Sequence, residues 1–525
     1  MPTEESSKPE NNKKDVECTL KRQNAKMKKN DDGEQKHDQH QATDTTTASS
    51  SEKKQKNKGK SKGKSGNKVL SPEEVAKVRA KRKAAKEAKK ASLEAPGADV
   101  PPELRFIRRP ILTLHDGEPL TGFQFSLMTY NCLAQALIRR KMFPDGGDAL
   151  KWHRRSQVLK REFKHYNADV ICLQEIDYIQ YENFWKSELE KLGYDTQFNR
   201  NGTKNHGVSI AWKRDLFFMT DRMFIDYDKE ASGDIPPRTV TKNVGLVLSL
   251  KFTEKARQQF PNKTIRSGII IGTTHLFWHP FGTYERTRQC FIILKKMKEF
   301  MHRVNVLQND ADNDLSHWWP FFCGDFNSQP YDAPYLSMTS KPIEYKDRAL
   351  KVIQCSTSYT FSKLREGIND GDEENGNVEK FGKNQPETPV PAEFNANEQQ
   401  KELVKEMEQL QNSLDMRAIS LYSVAYKKVH AENSGLDNDR GEPEISNWAH
   451  TWRGLLDYLF LIKDWDFSDK KEVGSLNSFE KENSLRIRGL LRMPSSEEMT
   501  EHGQPHVAEY PSDHLCMICK LELLP

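Results

Sequence analysis

Residues 318–323 are aromatic and apolar, and the run stops at Gly324, Asp325, Phe326 and Asn327. A buried strand reads this way, and Gly324 lets the backbone turn so that Asp325 and Asn327 project from its end, where α/β folds keep their chemistry. Standing alone, a G-D-x-N segment is an ordinary strand followed by an Asx turn. Here the pattern recurs. Asn131 closes the run 125–130, Glu175 follows 169–173, His275 follows 269–274, Asp457 sits at the edge of 455–462, and Asp513 and His514 precede 515–521. Strands of a layered sheet deliver their ends to a common edge, which predicts one cleft holding all these side chains. Carboxylates so gathered repel one another unless a cation neutralises them, and oxygen ligands with amide support point to Mg²⁺ or Mn²⁺ rather than zinc. A hard divalent ion beside histidines is the equipment for phosphoester hydrolysis: the metal polarises a phosphoryl oxygen and orients hydroxide, and an imidazolium stabilises the charge that develops.

The elements that must position these groups alternate along the chain. Strands are predicted at 125–130, 169–173, 208–212, 244–252, 269–274, 318–323, 455–462 and 515–521, with helices at 152–165 and 286–303 and a turn at Asn167-Ala168. The recurrence predicts an α/β fold in which two packed sheets are flanked by helices. It begins near Phe106, giving a catalytic domain over 105–525.

Outside that domain the composition changes. Residues 1–100 carry 25 Lys+Arg against 16 Asp+Glu, a net +9 in a chain whose total is +5, so the remainder sums to −4. Eight lysines fall between 53 and 68 among Gly, Ser, Asn and Gln, a stretch unable to bury enough apolar surface to offset the entropy of ordering. Residues 1–104 are therefore expected to be a disordered polycationic tail, with a short basic helix at 71–91 begun by Ser71-Pro72-Glu73-Glu74. Such a tail serves solubility or nuclear import, or tethers nucleic acid by neutralising phosphates. An acidic insertion at 366–410 carries twelve acids against four bases, and its second half, from 398, has helical composition. No chemistry is expected of it, competition with RNA for the basic tail being the alternative. The eight cysteines are scattered, several inside apolar runs, which reads as reduced core thiols. Cys516 and Cys519 form a C-x-x-C without a second ligand pair, which argues against zinc. No apolar run approaches the roughly 20 residues that span a bilayer, so a soluble intracellular protein is expected.

Met128-Thr129-Tyr130-Asn131, Leu173-Gln174-Glu175, Thr274-His275, Gly324-Asp325-Phe326-Asn327, Leu456-Asp457-Tyr458 and Ser512-Asp513-His514 resemble, in order, the motifs of the endonuclease/exonuclease/phosphatase superfamily. Within it the chain is similar to the nocturnin/Angel/deadenylase branch, nearest to the fungal Ngl-type RNA exonucleases. The resemblance implies a four-layer α/β sandwich and Mg²⁺-dependent, 3′-to-5′ cleavage yielding 5′-nucleotides, with Mn²⁺ able to replace Mg²⁺. It implies Glu175 as the main metal ligand, supported by Asn131 and Asp513. Asp325 would orient or deprotonate the attacking water, Asn327 and His275 would bind the scissile phosphate, and Asp457 would hold His514 protonated and facing it.

Two further matches concern the substrate. Pro280, and Trp452 in Thr451-Trp452-Arg453-Gly454, align with positions that pack on the terminal base in the family, and Arg453 beside Trp452 is expected to bind substrate as well. The family's deadenylases usually carry Phe where Trp452 stands. Stacking on the larger ring tolerates any base, which weakens the expectation of strict poly(A) preference. RNA is the expected partner, as a messenger tail or a ribosomal precursor, with residence in nucleus, nucleolus and cytoplasm. No leucine-rich repeat precedes the domain, so docking into large deadenylase complexes is not implied. The same catalytic parts would serve a small-molecule phosphatase acting on a dinucleotide phosphate or phosphoinositide. A catalytically dead RNA-binding protein is disfavoured by the intact set of site residues.

Overall fold

The structure, a computed structural model, describes residue 77 and residues 100–525 apart from 203, 260–265, 308–317, 362–387, 450–451, 468–474 and 500. The chain divides into two units, Met1–Lys86 and Glu87–Pro525, and only the second has described elements beyond Lys77. Residues 1–99 of the basic tail apart from Lys77, most of the helix expected at 71–91, and residues 366–387 of the acidic insertion lie outside the described residues, while Pro102–Leu104 at the end of the tail form a short 3-10 turn.

Among the described residues fifteen strands build the second unit: β1 Ile111–Thr113, β2 Phe123–Asn131, β3 Val170–Asp177, β4 Tyr194–Asn199, β5 His206–Lys213, β6 Phe217–Asp226, β7 Val244–Phe252, β8 Gly268–His275, β9 Trp318–Asp325, β10 Met416–Ser420, β11 Asn447–Ala449, β12 Trp452–Gly454, β13 Asp457–Asp464, β14 Leu485–Leu491 and β15 Met517–Leu523. They form a seven-stranded sheet, β1-β14-β15-β2-β3-β5-β4, a six-stranded sheet, β10-β13-β9-β8-β7-β6, and the small hairpin β11-β12. Both large sheets are mixed. Only β2–β3 and β8–β9 run parallel, and every other pairing is antiparallel.

Side chains alternate across the strands, and that alternation makes the layers. Phe123, Phe125 and Leu127 of β2 and Val170 and Cys172 of β3 enter the core shared with the second sheet, where they meet Leu246, Ile271, Phe321 and Phe322. Met128, Tyr130, Ile171 and Leu173, one residue out of phase, face the other way and pack with Leu159 and Phe163 of helix α1, Trp152–Tyr166. Helices α2, Thr283–Leu307, α3, Ala333–Thr339, and α4, Asp347–Ser358, cover the outer face of the second sheet, giving the expected helix–sheet–sheet–helix order.

Helix α5, Glu398–Asn412, opens on a capping box between Asn397 and Gln400 and buries Val404 and Met407 in the main core. Half of the acidic stretch therefore belongs to the fold, because its apolar positions recur at helical spacing beneath an acidic surface. Cys516 and Cys519 belong to different apolar clusters on opposite faces of β15, so the C-x-x-C cannot close on one ion, and all seven described cysteines are free and buried. Among the described residues no helix is long and apolar enough to cross a membrane.

Candidate active site

The topology brings the strand ends to one edge. Parallel pairing sets Asn131 of β2 opposite Gln174 of β3, and His275 of β8 opposite Asp325 of β9. Antiparallel β13 starts where β9 ends, with Asp457 opposite Asp325. β15 runs against β2 with Met517 opposite Thr129, which leaves Asp513 and His514 just ahead of it at the same edge.

Asn131 joins the two sheets: its Nδ2 donates to Glu175 Oε1 and to Asp325 Oδ2, each at 2.9 Å, while its Oδ1 accepts from the Leu133 amide at 3.0 Å. Glu175 lies in an irregular stretch of β3 with φ of 52°, a left-handed conformation that non-glycine residues adopt at a cost, and its Oε2 accepts from the Ala134 amide at 2.9 Å. The following loop is fixed by Asp325 Oδ1, which accepts from the Asn327 amide at 2.8 Å, and by Asn327 Nδ2, which donates to the Leu276 carbonyl at 3.0 Å. Gly324, at φ of 150°, allows this close approach, since a Cβ there would sit 2.3 Å from the Thr274 carbonyl oxygen. His514 Nδ1 is 2.8 Å from Asp457 Oδ2, leaving Nε2 facing Asp325 Oδ2 at 3.5 Å. His275 Nε2 lies 3.6 Å from that same oxygen and 3.9 Å from Glu175 Oε1.

The electrostatics divide the two imidazoles. Burial pushes His275 down to about 4, against the pull of Asp325, so it is neutral. Burial also works against a charged His514, but Asp457, Asp325 and Asp513 outweigh it and hold its pKa well above the ordinary value. Burial raises the Asp325 carboxyl and lifts Asp513 to about 6, partly offset in each case by His514. A protein that buries carboxylates in this way has more negative charge at one edge than its own cations balance. Glu175, His275 and Asp325 bring one ligand atom each within 4.8 Å of one another, so these three can hold a divalent cation.

Three supporting residues carry no motif in the sequence. Ser446 Oγ donates to Asp457 Oδ2 at 2.7 Å and accepts the amides of Leu456 and Asp457, fixing the carboxylate that holds His514. The buried Arg155 guanidinium donates to the carbonyls of Cys132, Leu133 at 2.7 Å and Pro511 at 2.7 Å, clamping together the loops that follow Asn131 and precede Asp513. Asp177 accepts the amides of Gln135 at 2.6 Å and Ala136 at 3.0 Å, holding the first of those loops from below. The available signal was an arginine on the apolar side of an amphipathic helix.

The cluster opens into a cleft of about 420 Å³ whose walls include Trp278, Pro280, Arg286, Arg348 and Trp452. Trp452 is 45% exposed, so its ring is a wall of the cleft and not part of the core. Its hairpin is tied to the catalytic segment, since the Trp448 amide donates to the Asp513 carbonyl at 2.8 Å and the Leu515 amide to the Ser446 carbonyl at 2.7 Å. Arg453 turns away and lies over the Trp448 ring at 5.0 Å; it does not line the cleft.

Residues 128–514 match the Endonuclease/Exonuclease/phosphatase family. "RNA exonuclease NGL2" of Saccharomyces cerevisiae is 68% identical over 465 residues, covering 88% of this chain and 90% of that protein. "Probable RNA exonuclease NGL3" of the same yeast is 40% identical over 473 residues, with 86% and 90% covered. A crystal structure of ANGEL2, a 2′,3′-cyclic phosphatase, in complex with adenosine-2′,3′-vanadate, is 20% identical, covering 79% of this chain and 99% of that one with a TM-score of 0.49. That last likeness is too slight to add to the fold read from the sheets. With the motifs of both sheets gathered at one common edge and the match running through nearly all of the described domain, the chain belongs to the Endonuclease/Exonuclease/phosphatase family and is an enzyme of that family.

Proposed function

We propose that this enzyme is a Mg²⁺-dependent 3′-to-5′ RNA exonuclease that releases 5′-nucleotides, acting in trimming of ribosomal precursors or in poly(A) shortening. The observation that carries the reading is the cleft in which the exposed Trp452 ring and Pro280 adjoin the Glu175, Asp325 and His514 cluster. An aromatic face beside a phosphate-reactive centre suits a terminal nucleotide. The extensive identity to a yeast protein named as an RNA exonuclease supports the same substrate class.

Glu175 and Asp513, with Asn131 between Glu175 and Asp325, would hold the ion. When bound, Mg²⁺ supplies positive charge to a phosphoryl oxygen and lowers the pKa of water. Asp325, buried and braced by Asn131 and Asn327, orients the attacking water and takes its proton. Neutral His275 donates a hydrogen bond to a non-bridging oxygen, and Asn327 lines the same side. His514, its charge fixed by Asp457, faces the negative charge that grows as the new P–O bond forms and the bond to the 3′-oxygen breaks. The lysine-rich segment at 53–68 supports RNA tethering and residence in nucleus and nucleolus as well as cytoplasm.

The test is incubation of the full chain with Mg²⁺ and 5′-labelled RNAs of differing 3′ sequence, beside a dinucleotide phosphate and a phosphoinositide. A ladder shortening from the 3′ end, with 5′-mononucleotides released, is expected. Turnover of a small phosphate ester without RNA shortening would overturn the reading.

A further inference from the structure

We propose that His502, His506 and Glu509 form a second metal site, for a zinc-class transition ion, separate from the catalytic edge. The three side chains bring one ligand atom each within 4.8 Å of one another. Glu509 Oε1 is 2.9 Å from His502 Nε2 and 3.2 Å from His506 Nδ1. A tetrahedral ion with bonds of about 2.0–2.1 Å spaces its ligand atoms roughly 3.3 Å apart, so both imidazoles already stand near that spacing from the carboxylate oxygen.

A hydrogen-bonded histidine–glutamate pair would need only His502. It does not explain His506, whose buried Nδ1 lies 3.2 Å from the same carboxylate oxygen without making a hydrogen bond to any described residue. The two imidazole rings lie with centroids 3.8 Å apart at 35°, an approach that a shared ion stabilises and that two imidazolium charges would oppose. The carboxylate is also oriented as a ligand should be. Gln504, fully buried, donates from Nε2 to Glu509 Oε2 at 2.6 Å, which turns Oε1 toward the two imidazoles. Two imidazoles and one carboxylate select a borderline transition ion over Mg²⁺, with water as the fourth ligand.

The position gives the site a role. The segment 502–511 leads directly into Ser512, Asp513 and His514, and its own backbone is tied down where the Ile107 amide donates to the Glu509 carbonyl at 3.0 Å. An ion here would staple the approach to the catalytic segment without touching it.

The experiment uses the full chain, stripped by a chelator and kept in excess Mg²⁺ so that the oxygen-rich catalytic site is filled, then titrated with Zn²⁺, and with Co²⁺ as a spectroscopic probe. One equivalent of Zn²⁺ retained after desalting is expected for the wild type and for Glu175→Gln, together with a tetrahedral Co²⁺ spectrum. His502→Ala and His506→Ala are each expected to weaken binding at least tenfold. His502→Asn, which keeps an amide donor for Glu509, replaces either variant should it unfold. Failure of the wild type to retain the ion, undiminished retention by the histidine variants, or loss of retention in Glu175→Gln would each overturn the proposal.

Discussion

His275 and His514 approach the same oxygen of Asp325, at 3.6 and 3.5 Å, yet one is neutral and the other charged. The difference lies behind the rings. Burial dominates for His275, and nearby Lys204 adds to it, whereas His514 has Asp457 in hydrogen-bond contact on its far side. His514 should therefore impose a protonation requirement on turnover. Its raised folded-state value means that the stability it contributes is present below the unfolded histidine value, about 6.5, and is lost as pH rises through the folded one. His514→Gln should flatten the alkaline limb of the kcat profile and lower its plateau at least tenfold; full activity in this variant would leave the His514–Asp457 pair a structural feature only.

Divalent ions should matter to stability most above neutral pH. Burial lifts Asp513 to about 6 and also raises Asp325, so the stability that their protonated forms contribute is present below the unfolded value near 3.9 and fades as pH rises through the folded one. A cation that binds the ionised carboxylates restores it, by roughly 2.7 kcal/mol at a hundredfold excess over Kd. Melting curves with Mg²⁺ and with chelator should nearly coincide at pH 5 and separate progressively from pH 6 to 8. A gap independent of pH would contradict this assignment.

Replacing Glu175 with Gln keeps the shape of the side chain and removes its charge. Both carboxylate oxygens accept an N–H, Oε1 from Asn131 and Oε2 from Ala134, so the Gln amide keeps one of these contacts and loses the other, and the melting temperature in chelator should fall by a few degrees with the fold retained. Activity should fall at least hundredfold, about 2.7 kcal/mol, the scale of a lost electrostatic contributor at a reacting phosphate. More than a tenth of wild-type kcat in saturating Mg²⁺ would remove Glu175 from the metal site.

Trp452 is expected to act through its face. Trp452→Ala should cost about 1–3 kcal/mol in kcat/KM on RNA, and Trp452→Phe much less, because a phenyl ring preserves the stacking surface. Wild-type removal of terminal U or C should stay within about tenfold of A. Equal loss in both variants would show that stacking is not the interaction, and a hundredfold preference for A would require a group that reads the base edge.

Deleting residues 1–100 removes a net +9. If the tail neutralises phosphates, the slope of log affinity against log salt should become shallower by about 0.7 for each lost contact, with KM raised and saturated turnover unchanged. An unaltered slope would assign the tail to import or solubility.

The legible parts of the fold were those whose burial is two-sided. β7 is found where a run broken only by Ser249 and Lys251 predicts it, and β9 and α1 differ by a residue or two. Strands with a solvated face were harder: β6 alternates between buried and exposed side chains with charges among them, and β4 carries Asp, Thr, Gln and Asn, so neither contains a continuous apolar run. Site residues adjoining such runs stood out, and all of Asn131, Glu175, His275, Asp325, Asn327, Asp457, Asp513 and His514 reach the same edge. Ser446, Arg155 and Asp177 did not stand out, because their roles rest on contacts that only the folded chain makes. Arg453 was drawn in by adjacency to Trp452, but neighbours along a strand point to opposite faces.

Ser512 Oγ donates to the Asn131 carbonyl at 2.7 Å, a bond between positions 381 apart. β15, which follows it, occupies the middle of the seven-stranded sheet, between β14 and β2. During synthesis, then, a ribosome must translate past Ser512 before Asn131 acquires its partner, and further still before the central ladder can close. Throughout that interval the growing polypeptide carries Glu175, His275 and Asp325 without Asp513 or His514. Until then the catalytic edge is incomplete, and the delay comes from strand order alone.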